Sequence, residues 1–366
     1  MNLNVEKKNI EKEKLDSLRG KCNDALDALW STAWLKNSIN KLDRIHLESL
    51  QMTAAQICSQ CEVAVVIAAG DMARTIEACT SAVQQREDCA DVLVFGDSFS
   101  PAEYAELMTD LEKKDFVLIS VAPDLETVSM RGAFMCLKSL LVTKYGAEKA
   151  TERIFAIAGK KSKLVAEDAA ENDYPLISYP EDVPAIYGAN TAAVLLPMAV
   201  KGADLLAYLD GFRDMLASPQ WDIDATDYGI ARALYKNAGG IKEHFLIWQN
   251  QFVHFGKWEE NFADGIEKRV LKMPADDKVN CGDAFDTQII VEEDQEDIMM
   301  PYFEGCNEDG SLNLLLTGTA RQYFSEKNGK KTGVQISVER LDSYNLGQLA
   351  AFVQLSNGIT EFLLNN

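Results

Sequence analysis

Three short loops hold side chains that could meet a polar ligand, and each follows an apolar run that reads as a strand. They are Ala69-Gly70-Asp71-Met72 after residues 63–67, Gly96-Asp97-Ser98-Phe99-Ser100 after residues 92–95, and residues 121–127 after residues 116–119. In open parallel sheets, ligands bind beyond the carboxyl ends of the strands, where the amino termini of the following helices offer unpaired amide donors. The first loop has one glycine, whereas a G-x-G-x-x-G run needs several to let backbone approach a pyrophosphate, so a dinucleotide is disfavoured. The third loop sets Pro123, Asp124 and Glu126 around Thr127, and two carboxylates there would repel a dianionic phosphate. Cys58-Ser59-Gln60-Cys61 places two thiols at zinc spacing, but no second pair and no closely spaced histidines complete four ligands. Packing at a helix end accounts for that pair, and neither a metal nor a cofactor is expected.

The elements that must position these loops follow from hydrophobic periodicity. Apolar residues recur at helical spacing over residues 15–60, which reads as a helical lead-in. Strand, turn and helix then repeat. Residues 63–67 precede a helix over 73–83, residues 92–95 precede one opened by Ser100-Pro101, and residues 116–119 precede one over 127–145 closed by Gly146. A further strand over 153–158 leads into Lys160-Lys161-Ser162-Lys163, which reads as a solvated turn. Alternation of this kind predicts a mainly parallel, doubly wound α/β sheet. It returns more thinly downstream, with strands over 244–248, 287–291 and 334–338, an acidic loop over 292–297 and a closing helix over 343–364. The predicted division is a helical segment 1–60, a first domain 61–212 and a second domain 213–366.

The chain has 366 residues, 47% of them hydrophobic, enough for two cores, and a formal net charge of −21. That charge argues against nucleic acid or an anionic membrane surface, both of which need a basic face to replace counterions. Residues 2–14 are polar and charged, unlike the apolar core of a signal peptide, and no run is of membrane length, so residence in the cytoplasm is expected. The eight cysteines, Cys281 and Cys306 among them, are scattered and read as reduced thiols.

The order of these segments resembles the glucose-6-phosphate isomerase family from about Trp34 onward. The resemblance is carried by VAVVIAAG at 63–70, GDSFSPAEYAEL at 96–107, KYG at 144–146, LLPMAVKGADL at 195–205 and LDSYNLGQLAAF at 341–352. It implies two sugar isomerase domains, the second reduced here, and a homodimer with active sites shared between subunits. It also implies interconversion of glucose 6-phosphate and fructose 6-phosphate, with a glutamate moving the proton and cationic side chains polarising oxygens.

Residue by residue, the resemblance exposes losses. The family's phosphate loop of serines, threonines and a lysine falls on residues 122–128, where Thr127 alone is kept. Its arginine falls on Ile186, and its histidine falls within residues 269–284, which contain none. Its carboxyl-terminal extension, with a substrate-reaching lysine, would begin after Asn366. The region of its glutamate resembles residues 255–267 around Trp258, where Glu259, Glu260 and Glu267 lie near but out of register, and a charged helix surface accounts for them more readily than catalysis does. His244 and His254 read as packed or exposed imidazoles. The catalytic candidates are thus Glu260, Glu267 and His254, and the ligand-binding candidates Gly70, Asp71, Ser98, Asp124, Thr127, Tyr187 and Asn190. The expected protein is a member of this family whose isomerase chemistry is weak or lost. A sugar or sugar-phosphate binding protein without turnover and a dimeric structural or regulatory protein are the alternatives.

Overall fold

The computed structural model describes residues 3–31, 44–217, 219–262, 264–274, 284–293, 296–301, 310–327 and 332–365. Cys281, Cys306, Trp34, Asn366 and parts of the stretches 15–60, 269–284 and 292–297 lie outside the described residues. The chain divides into two compact units, Thr32–Leu206 and Met1–Ser31 together with Ala207–Asn366.

Ten strands are described: β1 (Leu3–Lys8), β2 (Val63–Ile67), β3 (Asp91–Phe95), β4 (Phe116–Ala122), β5 (Ile154–Ala158), β6 (Leu176–Ser178), β7 (Lys242–Ile247), β8 (Glu267–Lys272), β9 (Phe285–Glu293) and β10 (Gly333–Arg340). In the unit Thr32–Leu206 the order is β3-β2-β4-β5-β6, all parallel. Every residue of β2, β4 and β5 is buried, as expected for parallel strands covered on both faces. One face packs Val63, Val65, Phe116 and Leu118 against Leu111, Phe134, Leu137 and Val165, from helices Pro101–Lys113, Val128–Tyr145 and Leu164–Asn172. The other face is covered by helices Arg44–Gln60, Gly70–Ser81 and Ala192–Lys201.

Local chemistry sets the helix ends. The Ser100 hydroxyl accepts from the Glu103 amide with Pro101 at the first helical position, and the Thr127 hydroxyl accepts from the Met130 amide at 3.2 Å. Gly146, at φ +83°, ends Val128–Tyr145 in a region that favours glycine.

In the other unit the order is β1-β10-β9-β7-β8, with β7 to β10 parallel. This sheet therefore has four parallel strands, one fewer than the first. The order β8-β7-β9-β10 repeats β3-β2-β4-β5: in each, the chain leaves its first strand to one side and returns on the other. Helices Lys12–Ser31, Pro219–Asn237 and Ser343–Asn365 pack together, and the last reaches β1 and β10.

Two expectations change. Residues 3–8 are not helical: β1 pairs antiparallel with β10, so the amino terminus joins the unit that contains the carboxyl terminus rather than leading into the first sheet. An edge strand needs only one apolar face, and charged residues protect its free side, so LNVEKK gives no apolar run. Glu267 begins β8 and is not on a helix surface.

Candidate functional site

In the unit Thr32–Leu206 the chain switches direction across the sheet between β2 and β4, and the loops at their carboxyl ends part there. A cavity of about 740 Å³ occupies this crevice, as the topology requires. Its wall comes from Asp71 and Met72 after β2, Pro123, Asp124 and Thr127 after β4, Lys160 and Lys161 after β5, and Tyr179 and Glu181 after β6. Gly159 sets the third of these contributions. A Cβ there would lie 2.0 Å from the Pro123 carbonyl oxygen, so only glycine lets the β5 loop lie against the β4 loop.

That close approach decides the electrostatics of the mouth. Lys161 Nζ reaches Asp124 Oδ2 at 3.3 Å, and Lys160 Nζ reaches Glu181 Oε1 at 2.5 Å. The Leu125 amide and then Lys161 hold the Asp124 carboxyl below its usual range. Burial pushes the Asp71 carboxyl up.

Glu126 behaves differently from its neighbour. Its carboxylate turns inward, accepting from the Ser162 hydroxyl at 2.6 Å, the Val165 amide at 3.0 Å and the Lys163 amide at 3.3 Å. Burial raises its pKa, but these donors together outweigh burial and leave it below its usual value. The expected pair of repelling carboxylates is therefore one, Asp124, because Glu126 caps the helix Leu164–Asn172.

Of the other expected ligand residues, Asp71, Asp124 and Thr127 line the cavity. Thr127 is also a helix cap, and its hydroxyl lies 2.9 Å from that of Ser129. Gly70 opens the helix Gly70–Ser81 at φ +58°, and its amide donates to Asp97 Oδ1 at 2.9 Å, which occupies a donor a ligand would use. The Ser98 hydroxyl accepts from the Ser100 amide at 3.0 Å and shapes the turn after β3. Tyr187 and Asn190 are buried and are not among the cavity's lining residues, and neither Asn190 side-chain polar atom has a hydrogen-bond partner.

Tyr179, 4% exposed, lines the cavity, and its hydroxyl makes no hydrogen bond of ordinary geometry. Burial pushes its pKa up, offset only in part by the nearby Thr191 hydroxyl, which donates to the Gly188 carbonyl at 2.8 Å. Tyr179, Lys160, Lys161 and Glu181 were not among the sequence candidates. The lysine run was their one visible mark, and it is equally the mark of a solvated turn.

Glu260, Glu267 and His254 belong to the other unit. Glu260 is exposed, and its Oε1 accepts from the Val270 amide at 3.0 Å. Glu267 is exposed at the amino end of β8, while His254 lies in the helix Val253–Glu259, which follows the carboxyl end of β7. Six residues of strand span roughly 17 Å, so Glu267 and His254 sit toward opposite ends of their sheet. His244 is buried with Nδ1 3.3 Å from Asp286 Oδ1.

The most concentrated charge of that unit is enclosed. Arg232 and Lys268 have fully buried side chains; Arg232 meets Glu243 Oε1 at 2.9 Å and Glu259 Oε2 at 3.1 Å, and Lys268 meets Asp264 at 2.8 Å. Asn357 bonds Arg232 at 3.0 Å and Glu259 at 2.8 Å, and Thr287 donates to Glu243 at 2.7 Å. Burial opposes the Arg232 charge, but Glu243 and Glu259 outweigh it and raise its pKa. Among the described residues no group of three or more His, Cys, Asp or Glu side chains is placed to hold a metal ion.

No family model matches the chain. Glucose-6-phosphate isomerases of Streptococcus agalactiae and Streptococcus pneumoniae are 24% and 23% identical to it over 360 and 361 residues, covering 88% of this chain and 79% and 80% of theirs. The chain is thus similar, at low identity and over most of its length, to glucose-6-phosphate isomerases. Two solved structures share the fold. A hypothetical protein from Thermus thermophilus superimposes with a TM-score of 0.80 at 17% identity, over 95% of this chain and 90% of that one. A glucose-6-phosphate isomerase from Chlamydia trachomatis gives 0.76 at 10% identity, over 99% and 84%. The two-sheet α/β architecture is thus that of glucose-6-phosphate isomerase. Among the described residues no helix is long and apolar enough to cross a membrane.

Proposed function

We propose that the cavity at the β2/β4 switch binds an unphosphorylated, polyhydroxylated sugar, and that the chain interconverts hexose 6-phosphates weakly or not at all. The reading rests on one observation above the rest: the loop that resembles the family's phosphate cradle offers Asp124, while its Thr127 hydroxyl caps a helix and Glu126 is turned into the core. Hydroxyl groups of a sugar suit a wall of carboxylates, lysines and a tyrosine, all of which form hydrogen bonds without demanding a ligand charge. The buried Ile186, at the position of the family's arginine, removes the only planar fork of donors the resemblance would supply. Residual chemistry, where present, would fall to Glu260, Glu267 or His254. The same reading includes a homodimer working in the cytoplasm.

Calorimetry with glucose, fructose and their 6-phosphates tests the ligand class, and a coupled assay of fructose 6-phosphate conversion tests turnover. The expected result is measurable binding of a neutral sugar and turnover at least about a hundredfold below an ordinary isomerase, since each lost acid–base or oxyanion group costs about that much or more. Turnover at ordinary rates would overturn the loss of activity, and silence toward every neutral sugar would overturn the binding assignment.

A further inference from the structure

We infer that Lys160 and Lys161 form an anion subsite at the mouth of this cavity, and that Glu181 and Asp124 occupy it from within and so exclude a ligand phosphate. Asp124 and Glu181 are then specificity-determining residues. The inference builds on the cavity assigned above as a sugar site.

The geometry is that of three loops tied together. Gly159 brings the β5 loop against Pro123, which places two consecutive lysines between the β4 loop on one side and the segment after β6 on the other. Each lysine takes a carboxylate from a different neighbour, Lys161 from Asp124 and Lys160 from Glu181, so each ammonium already has an anionic partner with which a ligand must compete. With Asp71 and Asp182 also in the wall, four carboxylates face two lysines, an excess of two negative charges. A dianion entering this mouth would have to displace a carboxylate from each lysine and then lie beside both displaced carboxylates.

The ion pairs are solvent-facing: the side chains of Lys160 and Lys161 are 80% and 77% exposed, and those of Glu181 and Asp124 45% and 65%. Exposed pairs of this kind add little to folding. Their effect on a ligand is larger, because exclusion needs only the wrong charge at the right place. Tyr179 marks the cavity behind the mouth as a polar site, since its buried hydroxyl makes no ordinary hydrogen bond within the protein.

The experiment measures glucose, glucose 6-phosphate and inorganic phosphate by calorimetry on three forms of the full chain: the native sequence, Asp124→Asn/Glu181→Gln, and the same double variant with Lys160→Gln and Lys161→Gln added. The native protein is expected to bind both phosphate probes too weakly to measure. The double variant should bind at least one of them about tenfold tighter or more, with affinity falling as salt rises. The quadruple variant should lose that gain, and all three forms should melt alike because the four side chains are exposed. No gain in the double variant, a gain that survives in the quadruple variant, or ready phosphate binding by the native protein would each overturn the inference. Failure of glucose to bind any form would instead count against the sugar assignment, because the phosphate measurements test the mouth on their own.

Discussion

At the scale of single residues, Glu126 shows how a charge changes its role with direction. Its sequence position beside Asp124 suggests repulsion of an anion, yet its carboxylate accepts three hydrogen bonds and closes the start of Leu164–Asn172. The partners lie 36 to 39 residues away in sequence, so no local pattern announces them. Because its folded pKa is below the ordinary value of 4.5, its contribution to stability is complete above that value and is lost as pH falls through the lower folded value. Glu126→Ala should therefore reduce stability at pH 7 by about 1–3 kcal/mol, the range for hydrogen bonds to a buried charged group. Chemical denaturation across pH 3–7 should show the gap between the two proteins narrowing on the acid side. A gap that stayed constant to pH 3 would remove the carboxylate from this role.

Elements were legible where period and punctuation agreed. The parallel strands β2 and β5 are continuous apolar runs and β4 is broken only by Ser120, and Ser100-Pro101, Thr127 and Gly146 mark helix ends by their own chemistry. The strand β8 was not legible: EKRVLK sits at a sheet edge with Glu267, Arg269 and Lys272 exposed, and so short a mixture of charged and apolar residues is shared by helix surfaces. Arg232 was hidden for a related reason. It lies one helical turn after Tyr228 on the buried side of Pro219–Asn237, and a positive charge there suggests a surface until Glu243 of β7 and Glu259 of Val253–Glu259 are seen to face it. Arg232→Ala would leave Glu243 buried without its countercharge and Glu259 with Lys268, 3.8 Å away, as its remaining buried cation. The expected loss is about 3–5 kcal/mol, read from the denaturation midpoint and from faster amide exchange in β7. A loss under about 1 kcal/mol would mean that the glutamates find water or protons at little cost.

Over the whole molecule, the largest departure from a linear reading is that the start of the chain folds with its end. Composition and alternation placed two α/β sheets correctly, but a strand that pairs with a partner more than 300 residues away leaves no periodic trace in its own six residues. In β1, Leu3 lies opposite Val338 and Lys8 opposite Gly333, so its six residues cover six of the eight residues of the β10 edge. Beyond the strand, Arg19 donates from Nε and Nη2 to the two oxygens of buried Asp227, each at 2.8 Å, and Lys7 pairs with Asp224 at 3.1 Å. Removing residues 1–9 would strip the edge of β10 of its hydrogen-bonded neighbour and take one cation from that acidic pair. Amide exchange by mass spectrometry should then show β10 exchanging at least about tenfold faster, because an unpaired edge opens at a far lower free energy than a paired strand. The truncated chain should also associate more readily at high protein concentration through the newly exposed edge. If β10 kept its native protection after the truncation, β1 would be a passive cover, and the amino terminus would have no structural claim on the second sheet.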